Sequence, residues 1–363
     1  MRVLIVKVSS LGDVIHTLPA VTDAKKANRR LQFDWVVEEN FVEIPAWHPA
    51  VERVIPVAFR RWRKSILKTL RNGEYADFRT DLKREHYDLV IDAQGLIKSG
   101  FISRLSKGLT VGLSDSTVKE PMATLFYNKV YSVPRDEHAV QRVRELFSRA
   151  LNYPLKPEQL GEIDYGLDLS RIGVTTDHAP SGVLVFLHGT TWQSKHWPLP
   201  FWRELARIAM AQGYQVRLPW GNEAERERAH AIAEGFSAVQ VLERQTLKGM
   251  AQNIALADGV VAVDTGLGHL AAALATPTVS LYGPTNPGLS GTFGRYQGQL
   301  ASTFSCAPCM SKTCRYQGEA QTLRMDNQIV QVNPPCFSTH PPEQVFAALQ
   351  QLMGQRGASV VVS

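Results

Sequence analysis

The feature that most constrains the fold is an alternation. Short β-branched runs are each followed by a stretch with helical spacing, and the series occurs twice. The first series contains VLIVKV (3–8), FDWVVEE (33–39), RVIPV (53–57), LVIDA (89–93) and TVGL (110–113). The longest amphipathic stretch between them runs from Trp62 to about Lys83. Strands separated by helices predict a parallel, doubly wound sheet.

A segment richer in Pro, Gly and Asp interrupts the pattern. It then restarts with VLVFLHG (183–189), VRLPWG (216–221), VQVLE (239–243), VVAVD (260–264) and TVSLYG (278–283). Helical patterns fill the gaps, from Phe201 to Gln212, Glu223 to Glu234 and Leu247 to Leu256. At 363 residues the chain exceeds what one core usually supports. The expected organisation is an α/β domain at 1–155, a linker at 156–181 and a second α/β domain at 182–335. A C-terminal segment, 336–363, ends in a helix able to dock back on the first domain.

Charge narrows the partners. The net charge of +6 suggests an anionic one. Part of the excess is local: RRWRKSILKTLR carries Arg60, Arg61, Arg63, Lys64, Lys68 and Arg71 with no acid before Glu74. Trp62, Ile66 and Leu70 form an apolar stripe beside these cations. The stretch reads either as a solvated helix packed on the core or as a surface for phosphates or anionic lipid. No nucleic-acid module accompanies the charge, so no nucleic-acid partner is expected. With no apolar run of about 18 residues and no leader pattern at the N-terminus, a cytoplasmic protein is expected.

The chemistry-bearing residues cluster where runs end. In KVSSLGDVIHTLP the first run stops at two serines, Gly12 and Asp13, and a helical pattern follows. Ser10 or Asp13 can cap that helix while Gly12 lets the chain turn. Alternatively, the loop lies beyond the carboxyl end of a strand, where open α/β sheets bind ligands.

The second domain repeats the arrangement three times. HGTTWQSKHWP places Thr190, Thr191 and Lys195 after a strand. LPWGNEAERERA carries Glu225. In VAVDTGLGHLAAALATPTVSLYGPTNP a strand ends at Asp264, Thr265 and Gly266 make the turn, and His269 lies one turn into an Ala-rich helix. A glycine at a helix N-terminus lets a diphosphate approach unpaired N–H groups and the positive end of the helix dipole. Lys195 could hold that diphosphate or stabilise it as a leaving group. Glu225 could read ribose hydroxyls.

Taken together, KVSSLGDVIHTLPA, FDWVVEE, ERVIPVAFRRWRK, LVIDAQGLIKS, KHWP and VDTGLGHL resemble the ADP-heptose:lipopolysaccharide heptosyltransferases, in particular the branch that adds the first heptose to the Kdo region of the inner core. The resemblance runs from Met1 to about Gly288 and resumes weakly in the last helix. It implies a GT-B fold of two facing Rossmann-like domains with the active site between them. The implied reaction is inverting, with no metal and no cofactor. Asp13 matches the catalytic base. Thr190, Thr191, Lys195, Glu225, Asp264, Thr265, Gly266 and His269 match the ADP-heptose site. Arg60, Arg61, Arg63 and Lys64, with Ser10 and Gly12, match the side that meets the acidic Kdo2-lipid A acceptor. Peripheral contact with the cytoplasmic face of an anionic inner membrane is expected on the same grounds.

The chain has no Asp-x-Asp, which agrees with Lys195 and helix dipoles replacing a divalent ion. Competing readings are the second heptosyltransferase of the pathway, a sugar-nucleotide epimerase, or a nucleotide-sugar-binding scaffold. A scaffold would need no base. Four late cysteines, Cys306, Cys309, Cys314 and Cys336, have spacing that suggests zinc, with free thiols as the competing state.

Overall fold

The computed structural model describes residues 1–64, 69, 72–155, 163–175, 180–325 and 328–361, the last three by backbone alone. They divide into two compact units, Met1–Asp168 and Leu169–Ser363.

The first unit is built on six strands: β1 (Arg2–Val6), β2 (Gln32–Glu38), β3 (Val51–Val57), β4 (Leu89–Asp92), β5 (Leu109–Leu113) and β6 (Lys129–Tyr131). All pair in parallel, in the order β3-β2-β1-β4-β5-β6. The central strand explains its own apolar run: Val3 to Val6 are fully buried, and Ile5 lies in register with Trp35 on one side and Ile91 on the other. Strands covered on both faces read as continuous hydrophobic runs.

The second unit repeats the plan with β7 (Val183–Leu187), β8 (Gln215–Leu218), β9 (Val239–Val241), β10 (Gly259–Val263), β11 (Thr278–Tyr282) and β12 (Gln297–Ala301). The order is β12-β11-β10-β7-β8-β9, again parallel. In each unit the direction of winding reverses between the first and fourth strands. The loops leaving those two strands flank the switch point, where open α/β sheets bind ligands.

Several elements differ from the sequence reading. Strands β6 and β12 were not expected, nor was the antiparallel pair β13 (Gln321–Met325) and β14 (Gln328–Val332). All are edge or surface strands with partly exposed residues, so they lack the apolar run that betrays a central strand. The stretch from Trp62 to Lys83 is not one helix. A short helix, Phe59–Trp62, is followed by Gly73 at φ +80° and then by a separate helix, Glu74–Leu82. A left-handed residue cannot continue a right-handed helix. Ile66 and Leu70 of the apolar stripe, with Lys68 and Arg71, lie outside the described residues.

The described part of 156–181 is packed. Asp164 pairs with Lys26 at 2.7 Å, the Asp168 N–H donates to the Trp47 carbonyl, and Ile172 is fully buried. The last helix, Pro342–Val361, sends Val345, Phe346 and Leu349 into the core that holds Trp197, Phe201 and Trp202 of the second unit.

Candidate active site

In the first unit the switch point is formed by the loops after β1 and β4. The Gln94 side-chain oxygen accepts from the N–H groups of Val8 and Ser9, each at 3.0 Å, tying the two loops together. The chain then enters the helix Leu11–Ile15 with Ser10 at its N-cap. Gly12 lies inside this helix, so Ser9 and Ser10 make the turn rather than Gly12.

Asp13 is the third helical residue and reaches back to the cap. Its Oδ2 accepts from both the Ser10 N–H and the Ser10 hydroxyl at 2.8 Å. This is the reciprocal half of a capping box. Of the two caps the sequence offers, Ser10 holds the N-cap position and Asp13 bonds back to it through Oδ2. Oδ1 is left 3.8 Å from the Lys7 ammonium, and the Asp13 side chain is 43% exposed.

Lys7 is buried and donates to the Ala93 carbonyl at 2.8 Å. Desolvation pushes the Asp13 pKa up, but Lys7 and the two Ser10 bonds outweigh it and hold the carboxyl below the usual carboxylate range. Burial in turn lowers the Lys7 pKa, against the pull of Asp13 and Asp92. Asp92, wholly buried at the end of β4, accepts from the Gln94 and Gly95 N–H groups, the Ser99 hydroxyl and the Tyr127 hydroxyl. Lys7, Asp92 and Gln94 were missed by the sequence reading, although all three stand in stretches it singled out. The signal was their place at strand ends.

The basic segment follows β3. Arg61 is committed to two carboxylates, Glu39 at 3.0 Å and Glu74 at 2.6 Å, and the Trp62 indole N–H donates to Glu74 at 2.8 Å. The Arg60 guanidinium lies over the Phe41 ring at 5.3 Å, and the Arg60 backbone N–H donates to the Glu38 carboxylate. Arg60 and Arg63 line an apolar groove of about 660 Å³ together with Ser9, Phe59, Trp62 and Lys98. Lys98 was also missed. Lys64 is exposed next to them. The cations are thus not equivalent: Arg61 holds the segment in place, whereas Arg63 faces the groove.

In the second unit the loops after β7 and β10 meet. The Lys195 ammonium pairs with Asp264 Oδ2 at 2.7 Å, and both side chains are largely buried. The Thr285 hydroxyl donates to the same oxygen at 2.7 Å. The Thr190 hydroxyl donates to the Asp264 carbonyl at 3.1 Å, and the Trp192 ring lies 4.4 Å beneath Lys195. Thr285 and Trp192 were not expected, though both lie within stretches that the sequence singles out.

Thr265 is the N-cap of the helix Gly266–Ala273 and Gly266 its first residue, so the first N–H groups open beside the Lys195–Asp264 pair. Glu225 is held against the β7 loop. Its Oε2 accepts from the Gly221 N–H at 2.8 Å, and an added Cβ at Gly189 would meet its carboxyl at 2.7 Å, which only glycine avoids. Thr191 is exposed beside these groups. His269 is buried one turn along the helix and has a partner of its own.

The cysteines stand apart from this chemistry. Cys306, Cys309 and Cys314 are exposed and Cys336 is buried, all as free thiols. Among the described residues no group of three or more His, Cys, Asp or Glu is arranged to hold a metal ion.

Two doubly wound parallel units with charged loops at their switch points follow the plan of the GT-B glycosyltransferases. The fold is that of the Escherichia coli heptosyltransferase WaaC with ADP, at a TM-score of 0.77 and 48% identity, covering 82% of this chain and 92% of that one. WaaC with ADP-2-deoxy-2-fluoro heptose matches at 0.75 and 47%, covering 83% and 93%. The lipopolysaccharide heptosyltransferase 1 of Pseudomonas aeruginosa PAO1 is 54% identical over 97% of this chain and 98% of its own length. The profile of glycosyltransferase family 9 (heptosyltransferase) matches residues 75–319. The chain belongs to glycosyltransferase family 9.

Proposed function

We propose that this protein transfers L-glycero-D-manno-heptose from ADP-heptose to the Kdo region of Kdo2-lipid A, with inversion, as a step of lipopolysaccharide inner-core assembly. The reading is supported by a relative, the lipopolysaccharide heptosyltransferase 1 of Pseudomonas aeruginosa PAO1, that matches nearly the whole chain, and by the ADP and ADP-2-deoxy-2-fluoro heptose of the two WaaC structures. The observation that carries the chemistry is Asp13, a half-exposed carboxylate held ionised by Lys7 and aimed by Ser10.

In the proposed step, Asp13 takes the proton from the acceptor hydroxyl while that oxygen attacks the anomeric carbon of the heptose. The bond from the anomeric carbon to the phosphate oxygen breaks, and its electron pair leaves with ADP. Single displacement inverts the configuration. Lys195, with the N-terminus of Gly266–Ala273, stabilises the charge developing on the diphosphate. Glu225 takes the ribose hydroxyls, and Thr190, Thr191, Asp264, Thr265 and His269 shape the donor site. Arg60, Arg63 and Lys64 take acidic groups of the acceptor, and Arg61 supports them. Ser10 and Gly12 place the base.

In this reading the enzyme works peripherally at the cytoplasmic face of the inner membrane. Among the described residues no helix is long and apolar enough to cross a membrane. The test is incubation with ADP-heptose and Kdo2-lipid A followed by mass analysis of the lipid. A lipid heavier by one heptose is expected, and an unchanged lipid with ADP-heptose intact refutes the reading.

A further inference from the structure

Two packed elements of the first unit carry large apolar side chains that the described residues leave uncovered. The helix Ile97–Leu105 follows β4, and the 3₁₀ turn Pro121–Phe126 lies on it. The approach is close. An added Cβ at Gly100 would meet the Phe126 ring at 2.8 Å, and Phe101 stands edge-on to Phe126 at 6.4 Å. On the outer side, Ile97 is 43%, Phe101 44%, Met122 62% and Leu125 77% exposed. Exposed apolar residues are ordinary when scattered singly, but a group of them on two touching elements marks an interaction surface.

The surroundings select the partner. Across 97–107 and 119–126 the cations are Lys98, Arg104, Lys107 and Lys119, against one acid, Glu120. That acid is already used: Glu120 accepts from the Ile97 N–H at 2.8 Å, closing the helix N-terminus. Arg104, Lys107 and Lys119 are exposed. A second copy of this face would set cations against cations, whereas a surface of lipid phosphates complements them. A fluid bilayer also accepts a projecting ridge without matching its shape.

The ridge adjoins the acceptor side. A groove of about 600 Å³, lined by Phe59, Lys98, Phe101 and Phe126, shares Phe59 and Lys98 with the groove that holds Arg60 and Arg63.

We propose that Ile97, Phe101, Met122 and Leu125 form a ridge that inserts into the interfacial region of an anionic phospholipid bilayer, with Arg104, Lys107 and Lys119 meeting the lipid phosphates. The ridge rests on the proposed function in one respect: it brings a lipid-anchored acceptor to the groove of Arg60 and Arg63. It is distinct from that groove, because none of its four apolar residues lines it.

The test is flotation of the full chain with acceptor-free vesicles of phosphatidylglycerol and phosphatidylethanolamine, comparing wild type with Met122→Ser/Leu125→Ser. Both residues are exposed, so the variant keeps its core. Wild type should float with these vesicles and much less with phosphatidylcholine alone. The variant should partition at least about tenfold more weakly, the scale expected for two large apolar side chains leaving water. Heptose transfer to a deacylated, water-soluble acceptor should be unchanged in the variant, while transfer to acceptor embedded in vesicles falls with vesicle binding. Equal flotation of wild type and variant overturns the ridge. So does a wild-type dimer that the variant abolishes, which would make the face a self-association surface. Failure of wild type to convert the deacylated acceptor counts against the transferase reading alone, because flotation without acceptor is read independently.

Discussion

Each unit places a lysine and an aspartate at its switch point, and the two pairs are built differently. In the first, Lys7 is buried under a backbone carbonyl and stands 3.8 Å from an Asp13 that stays half exposed. In the second, Lys195 and Asp264 are in contact at 2.7 Å, both largely buried, with Thr285 on the same oxygen. A cation that acts at a distance keeps a carboxylate ionised without occupying its lone pairs. A cation in direct contact is itself oriented, which suits the diphosphate of the proposed donor. In the proposed reaction the first pair supplies the base and the second the leaving-group clamp, in keeping with the different spacing within each pair.

The comparison breaks most directly at Asp13. Asp13→Asn can still accept from Ser10, so it should fold with an unchanged melting curve while transfer falls by about 10²–10⁴, the range for a positioned base. Near-wild-type turnover would reduce Asp13 to a cap. Lys195→Met should lower kcat by about 10²–10³, as for removal of one preorganised charge-stabilising donor. A change confined to the donor KM would make Lys195 a binding residue only.

Asp264→Ala separates the two pairs by stability. Removing one partner of a largely buried ion pair should cost roughly 2–4 kcal/mol in denaturant unfolding, a loss that Asp13→Asn should not show. Lys7→Met tests action at a distance. Because Lys7 holds the Asp13 pKa down, its loss should move the acidic limb of the kcat/KM profile to higher pH, with little change in rate well above that limb. A limb that does not move shows that Lys7 only packs. The smallest effects concern the basic segment. Arg63→Ala should raise the acceptor KM severalfold at low salt and less at high salt, with the donor KM unchanged. Arg61→Ala, whose charge is taken by Glu39 and Glu74, should leave the acceptor KM within about twofold, as exposed pairs contribute little. Equal effects of the two would mean that Arg61 leaves its carboxylates to meet the acceptor.

Much of this was legible in the residues because the signals are local. Val3 to Val6 and Val260 to Val263 read as central strands since burial on both faces demands unbroken apolar runs. Asp13, Lys195 and Asp264 read as candidates since they stand at or just beyond the ends of such runs. Lys129–Tyr131 and Gln297–Ala301 did not read as strands, because an edge strand satisfies one neighbour and needs no apolar run. The break at Gly73 was hidden by periodicity on either side of it, since spacing records faces and not backbone handedness.

The sequence by itself determined the twofold α/β plan, the strand ends at which polar residues collect, and the excess of cations after β3. Tertiary structure alone decided what those residues do to one another. That Lys7 is buried against the Ala93 carbonyl while Lys195 grips Asp264, that Arg61 is neutralised by Glu39 from another element, and that Gln94 clamps the first loop are all matters of distance between residues far apart in the chain. Charge interactions fall with separation and strengthen with burial, and neither quantity is written in the order of residues.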